Sequence, residues 1–228
     1  LGALLLAAGL FATMSRGPWV GAAAMITVFI ATGRDAVKRL MLLGLAGVLS
    51  LPLLSIIPGG NKLIDLLPYI GTIEKGNITY REELFAKAMI VIQRNPLLGS
   101  IDFLNTTEMQ SMMQGEGIID IVNTYLIVAL NSGLIGLLLF AGFFTTIALG
   151  IRKALRAFQD KDDEALRLGR ALLATLTGGL VTITTVSSIS VIPVVYWSLA
   201  GLSVAYIQMV RSTDRQIHFK TQAQATDS

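Results

Sequence analysis

The chain has no cysteine and one histidine, and only 14% of its residues are charged. Without cysteine there are no disulfides, thiolate nucleophiles, iron–sulfur clusters or cysteine zinc sites. The single histidine, His218, lies in the polar tail and reads as a solvated side chain, so no metal centre is expected. No Walker loop, dinucleotide fingerprint or Ser-His-Asp set is present, which removes support for chemistry driven by a soluble nucleotide donor. Neither a metal nor an organic cofactor is expected, and no nucleic-acid partner.

What is abundant is apolar sequence, at 53% of the 228 residues. Soluble domains carry about 25% charged residues, so the scarcity of charge points to a bilayer as solvent. Uncharged runs cover Pro18 to Thr32, Leu40 to Ile57, Asn123 to Gly150, Ala171 to about Ser190 and about Val191 to Val210. The last two together would be roughly 60 Å as helix, twice a bilayer core, and so are expected to cross twice with a turn near Ser190 to Pro193. Leu1 to Ala12 reads as the tail of a truncated span, so the number of spans is a minimum. The fold expected is an all-α polytopic membrane helix bundle with one long extracytoplasmic loop carrying an amphipathic helix. Its parts are membrane helices over 1–57, the loop over 58–122, membrane helices over 123–210 with a cytoplasmic linker at 151–170, and a disordered cytoplasmic tail at 211–228.

Orientation follows from the basic residues. Arg34, Lys38 and Arg39 share one connection, Arg152 to Arg170 bring six more, and Arg211, Arg215 and Lys220 lie in the tail. Alternating crossings put all three on one side, which the positive-inside rule makes cytoplasmic. The opposite side receives the Thr13 to Gly17 turn and the long 58–122 loop. In that loop Thr79-Tyr80-Arg81-Glu82 has the form of a capping box, and Leu84, Phe85, Ala88, Met89, Val91 and Ile92 make an apolar stripe. Tyr80 to Gln93 is therefore expected to be a helix, lying on the membrane surface or packed on a small subdomain, and ended by Asn95-Pro96.

Two arginines break the charge rule. Arg16 sits on the side that basic residues avoid, where it is either a snorkelling residue anchored by Trp19 or an anion site at the mouth of the bundle. Arg81 opens the loop helix and is either paired with Glu82 and Glu83 or free to face a ligand. A guanidinium offers a fork of donors matched to phosphate oxygens, so two converging arginines would suit a diphosphate. Lys87 and Arg94 could add field. Glu108, Glu116 and Asp120 are candidate general bases, with Asp120 nearest the membrane mouth. Gly17 and Gly21 have the spacing of close helix packing.

In order, Thr13-Met14-Ser15-Arg16-Gly17-Pro18-Trp19-Val20-Gly21, then Arg81 and Asn95-Pro96-Leu97-Leu98-Gly99, then Asn123-Thr124-Tyr125-Leu126 leading to Ser132-Gly133-Leu134-Ile135-Gly136, resemble the O-antigen ligase and polymerase family. The resemblance implies an inverting glycosyltransferase of the bacterial inner membrane, working at its extracytoplasmic face. Its donor would be an undecaprenyl-diphosphate-linked glycan, and its other partners membrane lipids and polysaccharide assembly proteins. It implies that Arg16 and Arg81 hold the carrier's diphosphate, with Asn123 and Tyr125 of the Asn-x-Tyr-Leu motif also at the site. The sequence departs at Val122, where ligases carry histidine to help deprotonate the acceptor. This moves the reading from ligase toward polymerase, or toward a variant in which Asp120 substitutes as the base. A transporter or flippase is the alternative of another class and would carry broken helices or ionisable groups at mid-membrane.

Overall fold

The computed structural model describes residues 2–13, 15–56, 75–115, 117–158, 163–187, 189 and 191–226. The described residues form helices and connecting turns, with no strand among them. In chain order these are α1 (Gly2–Ala12), α2 (Arg16–Ala31), α3 (Ala36–Ile56), α4 (Lys75–Arg94), a 3-10 turn at Phe103–Asn105, the short α5 (Thr107–Gln110), α6 (Thr124–Leu155), α7 (Glu164–Thr182) and α8 (Val191–Thr226).

Two helices are long and apolar enough to cross a membrane, Thr124–Leu155 and Val191–Thr213, whereas the apolar Arg16–Ala31 is shorter at 16 residues. The stretch expected to cross from Ala171 to Ser190 is instead a helix that begins at Glu164 and ends at Thr182. Its N-terminus is set by Asp163, whose carboxylate accepts from the Ala165 N–H at 2.7 Å, and this capping fixes the start earlier than the apolar run. The polar tail is also different from expectation. α8 continues to Thr226, because no glycine or proline after Arg211 interrupts it.

The bundle has two cores. Phe144, Ile147 and Ile151 of α6, Leu173 and Leu176 of α7, and Tyr196, Ala200 and Tyr206 of α8 form the first. Outside it Leu138, Leu139, Val194 and Leu202 stay exposed, the pattern of helices whose outer faces meet an apolar solvent. The second core lies under the long loop. Leu84, Ala88, Val91 and Ile92 of α4 bury against Phe103, Met109, Met112 and Ile121 and against Leu126, Ala129 and Leu130 of α6. The apolar stripe of α4 therefore packs on protein as part of a small subdomain, rather than lying on a membrane surface. α4 also starts at Lys75, so Thr79 is inside it and does not cap it.

Among the described residues α2 and α7 share the most extensive helix–helix contact. A Cβ on Gly21 would come within 1.9 Å of Thr182 Oγ1 and 2.9 Å of the Gly178 carbonyl, and one on Gly17 within 2.2 Å of Thr185 Oγ1. The Gly17 and Gly21 spacing thus permits the approach of backbones that small residues give in membrane bundles. The two helices are antiparallel: Gly17 meets Thr185 at one end, while at the other Arg170 donates to the Phe29 carbonyl at 2.8 Å.

α6 is broken at Gly133, where φ is 64° and ψ is −167°. That region of backbone space is essentially reserved for glycine. The break leaves the next N–H groups without intrahelical acceptors, and the 95–100 loop supplies them. Leu134 N–H donates to the Pro96 carbonyl at 2.8 Å, Ile135 N–H to that of Leu97 at 3.2 Å, and Ser100 N–H returns a bond to the Leu130 carbonyl at 2.8 Å. Gly99, with φ of 69°, passes so near α6 that a Cβ would lie 2.6 Å from Gly133 N. Two glycine-bearing segments thereby lock the loop subdomain onto α6.

Candidate functional site

Two of the residues singled out by charge, Arg81 and Asp120, are bonded to the segment that follows α7. This segment, Ile183 to Ser187, is a run of hydroxyl-bearing and β-branched residues that leaves the helix in turns. The C-terminal end of a helix carries partial negative charge on its free carbonyls, so a cation is favoured there. Arg81 occupies that position: its Nη2 donates to the Thr185 carbonyl at 3.2 Å. It makes no ion pair with Glu82 or Glu83, the pairing that would have made it an ordinary surface arginine. A guanidinium has five N–H donors, so one bond to Thr185 leaves most of its fork available.

The α2 end that carries Arg16 abuts the same turn. Arg16 is half-buried as the first residue of that helix, one position before the Gly17 that abuts Thr185. The end of α2 is tied down by Trp19, whose indole N–H donates to the Leu10 carbonyl at 2.9 Å and whose ring meets Phe11 edge-on at 5.4 Å. Trp19 therefore joins α1 to α2.

Asp120 is held from two directions. Its carboxylate Oδ1 accepts from Ser187 Oγ at 2.5 Å, and its backbone carbonyl accepts from Tyr80 Oη at 3.0 Å. Tyr80 is the neighbour of Arg81, and Ser187 follows Thr185 by two residues. One acid and one base are thus positioned by the same two segments, α4 and the turn after α7. Between them is a small cleft of about 100 Å³ lined by Arg81, Leu84, Phe85, Val122, Asn123, Leu126 and Thr184. Val122 lies on its wall.

The remaining candidates are placed elsewhere or are already engaged. Asn123 caps α6, its Oδ1 accepting from Tyr125 N–H at 3.0 Å and Leu126 N–H at 3.2 Å. Thr124 N–H donates to the Ile183 carbonyl at 2.9 Å, and Tyr125 Oη to that of Leu180 at 3.0 Å. The Asn-Thr-Tyr motif therefore stitches the start of α6 to the end of α7, on which the site is built. Arg94 is 13 positions beyond Arg81 on α4, about 20 Å along the helix, and is engaged in a bidentate ion pair with Glu108. The guanidinium holds the Glu108 carboxyl below the usual carboxylate range. Lys87 donates to Ser111 Oγ at 2.8 Å. The structure ties Arg81 and Asp120 to one turn, sets the α2 end that carries Arg16 against that turn at Gly17, and leaves Arg94, Lys87 and Glu108 to brace the loop subdomain. Glu116 lies outside the described residues. Among the described residues there is no group of histidine, aspartate and glutamate side chains placed to hold a metal ion.

Sequence reasoning missed Thr185, Ser187 and Tyr80. The hydroxyl-rich Thr184-Thr185-Val186-Ser187 run was the signal for the first two, hidden inside a stretch that reads as a membrane span.

The class that emerges is an all-helical protein with two apolar helices of membrane-spanning length and, at one end, a cationic site beside a fixed carboxylate. The chain belongs to the O-antigen ligase family, whose model matches residues 1–141. That stretch takes in Arg16, Arg81, Asp120 and both halves of the glycine lock. Membership makes the protein membrane-associated, and its function is of the O-antigen ligase and polymerase type, among membrane enzymes that process surface glycans. No curated protein and no solved structure matches the chain.

Proposed function

We propose that this chain works as a glycan polymerase that moves oligosaccharide from an undecaprenyl-diphosphate carrier during surface-polysaccharide synthesis. It would act as an inverting glycosyltransferase. Arg16 and Arg81 hold the diphosphate, and Asp120 takes the proton from the attacking hydroxyl. The bond from the sugar's anomeric carbon to the diphosphate oxygen breaks as the acceptor oxygen attacks. Charge then grows on the diphosphate, where guanidinium donors stabilise it, an effect worth about 10²–10³ in rate for a single donor.

The observation that carries this reading is the convergence on one turn. Arg81 donates to Thr185, Ser187 donates to Asp120, and the α2 end that bears Arg16 abuts Thr185. The proposal places several crossings in the bacterial inner membrane, with the 58–122 loop and the site on the extracytoplasmic face. That orientation rests on the lysines and arginines gathered at the other end of the bundle.

A ligase that transfers finished glycan to a lipid or protein acceptor is the second reading, supported by the description of the matching family. Val122 on the wall of the Arg81 cleft favours the polymerase, because valine cannot accept a proton. A transporter or flippase has less support. α6 is broken, as transporter helices often are, but the freed N–H groups are taken up by the 95–100 loop instead of facing a cavity.

Replacing Arg16 or Arg81 with alanine should abolish long-chain polymer while the protein still inserts in the membrane. Polymer of unchanged length would overturn the assignment. In a deletion strain, loss of elongation indicates the polymerase, and long glycan stranded on its lipid carrier indicates the ligase.

A further inference from the structure

A second cationic cluster lies at the opposite end of the α2–α7 pair. Arg34 from the turn after α2, Arg39 from the first turn of α3, Arg167 and Arg170 from the start of α7, and Gly33 and Phe158 line a cleft of about 310 Å³. No aspartate or glutamate lines it. Among the described residues none of these four arginines makes an ion pair. Of the carboxylates nearby in sequence, Asp163 is engaged in capping α7, Asp35 and Glu164 make no ion pair with these arginines, and the Asp35 backbone carbonyl accepts from the Arg39 N–H at 3.0 Å.

The cleft is built around Arg170. Its guanidinium lies 4.6 Å from the centroid of the Phe29 ring and donates through Nη2 to the Phe29 carbonyl. This is a cation–π contact that fixes the plane of the fork. Its Nε is buried and has no hydrogen-bond partner. Gly33 makes the arrangement possible, since a Cβ there would come within 2.4 Å of Arg170 Nη2. Four like charges around one cavity repel one another, and the repulsion is relieved by an anion offering several oxygens at once. Phe158 and the neighbouring Leu155 and Leu166 add an apolar wall.

We propose that this cleft is a binding site for a phosphate group, carried by an anionic phospholipid headgroup or free in solution. Basic pockets between membrane helices at the positively charged side hold lipid phosphates in this manner. The site is separate from Arg16 and Arg81, at the far end of α2, and it does not depend on the reaction assigned there.

Native mass spectrometry of the full chain in mild detergent tests this, with phosphatidylglycerol, phosphatidylcholine or inorganic phosphate as probe. The wild type should retain phosphatidylglycerol at least about tenfold over phosphatidylcholine, and an Arg39→Gln/Arg167→Gln variant should lose that preference. Millimolar inorganic phosphate that displaces the lipid or raises the melting temperature of the wild type alone identifies free phosphate as a ligand. No such effect, with the lipid preference intact, identifies the headgroup. Arg167→Gln alone, at an exposed position on α7, replaces the double variant if that one does not fold. Equal retention of both lipids by the wild type with no effect of phosphate overturns the proposal, as does a preference that the variants leave unchanged.

Discussion

Substituting Gly133 should be among the most damaging single changes in the chain, and the size of the effect follows from the geometry. At φ 64° and ψ −167° an alanine is in a region that costs about 1–3 kcal/mol for any L residue. Its Cβ would come within 2.3 Å of the Leu97 carbonyl carbon and oxygen, which are backbone atoms and must move. Moving them strains the Leu134 to Pro96 and Ile135 to Leu97 hydrogen bonds. Leaving either N–H without an acceptor costs about 1–3 kcal/mol. With one such N–H lost, the total for Gly133→Ala is about 2–6 kcal/mol, or about 4–24 °C in melting temperature for a chain of this size. Gly142→Ala is the control: it is on the same helix, and a Cβ there meets nothing within 4 Å. That substitution should stabilise the helix by up to about 1 kcal/mol. Thermal unfolding of the detergent-solubilised variants reads both. Hydrogen exchange should show the amides of Leu134 and Ile135 exchanging faster in Gly133→Ala alone. Equal melting temperatures for the two variants would refute the glycine lock.

Gly21→Val should separate α2 from α7, because the added carbons meet Thr182 Oγ1 and the Gly178 carbonyl; a loss of about 1–3 kcal/mol is expected from overpacking and is measured by the same melts. Arg94 and Glu108 predict a pH effect of definite sign. The Glu108 carboxyl is held below its ordinary value by Arg94 first, then by a backbone hydrogen bond. Its contribution is therefore complete above the unfolded carboxylate pKa of about 4.3 and is lost as pH falls through the lower folded value. Hydrogen exchange across residues 103–112 should accelerate only below about pH 4, and Glu108→Gln should remove that dependence. Ser187→Ala should lower polymerisation several-fold by releasing the Asp120 carboxylate, with an unchanged melting temperature, and Ser187→Thr, which keeps the hydroxyl, should restore it.

How far the sequence reached differs from element to element. The α4 stripe was legible at Leu84, Ala88, Val91 and Ile92 because helical periodicity reports a buried face. Phe85, counted on the same stripe, is 55% exposed; periodicity does not say where that face ends. It also does not say what covers the face, which is why a surface helix and a packed subdomain read alike. The start of α4 was misplaced because Thr79 has the form of a cap that the extension to Lys75 makes unnecessary. Gly99 and Gly133 were visible as letters, but their pairing joins segments 34 positions apart through backbone atoms, which leave no side-chain signature. Arg16 and Arg81 were legible as exceptions to the charge pattern. Asn123 and Tyr125 were legible as a motif, while the bond from Tyr125 Oη to the Leu180 carbonyl depends on α7, which begins about 40 residues further on.

The sharpest test of the chemistry combines the two positions at which proton transfer could occur. Asp120 is fixed by Ser187, and Val122 lines the cleft beside Arg81. If Asp120 is the base, Asp120→Asn keeps the shape and most of the hydrogen bonding yet removes the proton acceptor, so elongation should fall by about 10²–10⁴-fold. A second change, Val122→His, then returns an acceptor to the same cleft. Its imidazole should recover part of the lost activity, and only above about pH 6.5, where it is neutral. Rescue with that pH dependence would show that the site needs an acceptor near Arg81 and tolerates two ways of supplying it. If Asp120→Asn elongates at the wild-type rate, Asp120 is not the base, however well Ser187 holds it. If activity is lost and histidine restores none of it while the fold is intact, the carboxylate serves to position the turn that carries Thr185, and the acceptor's proton leaves by another route.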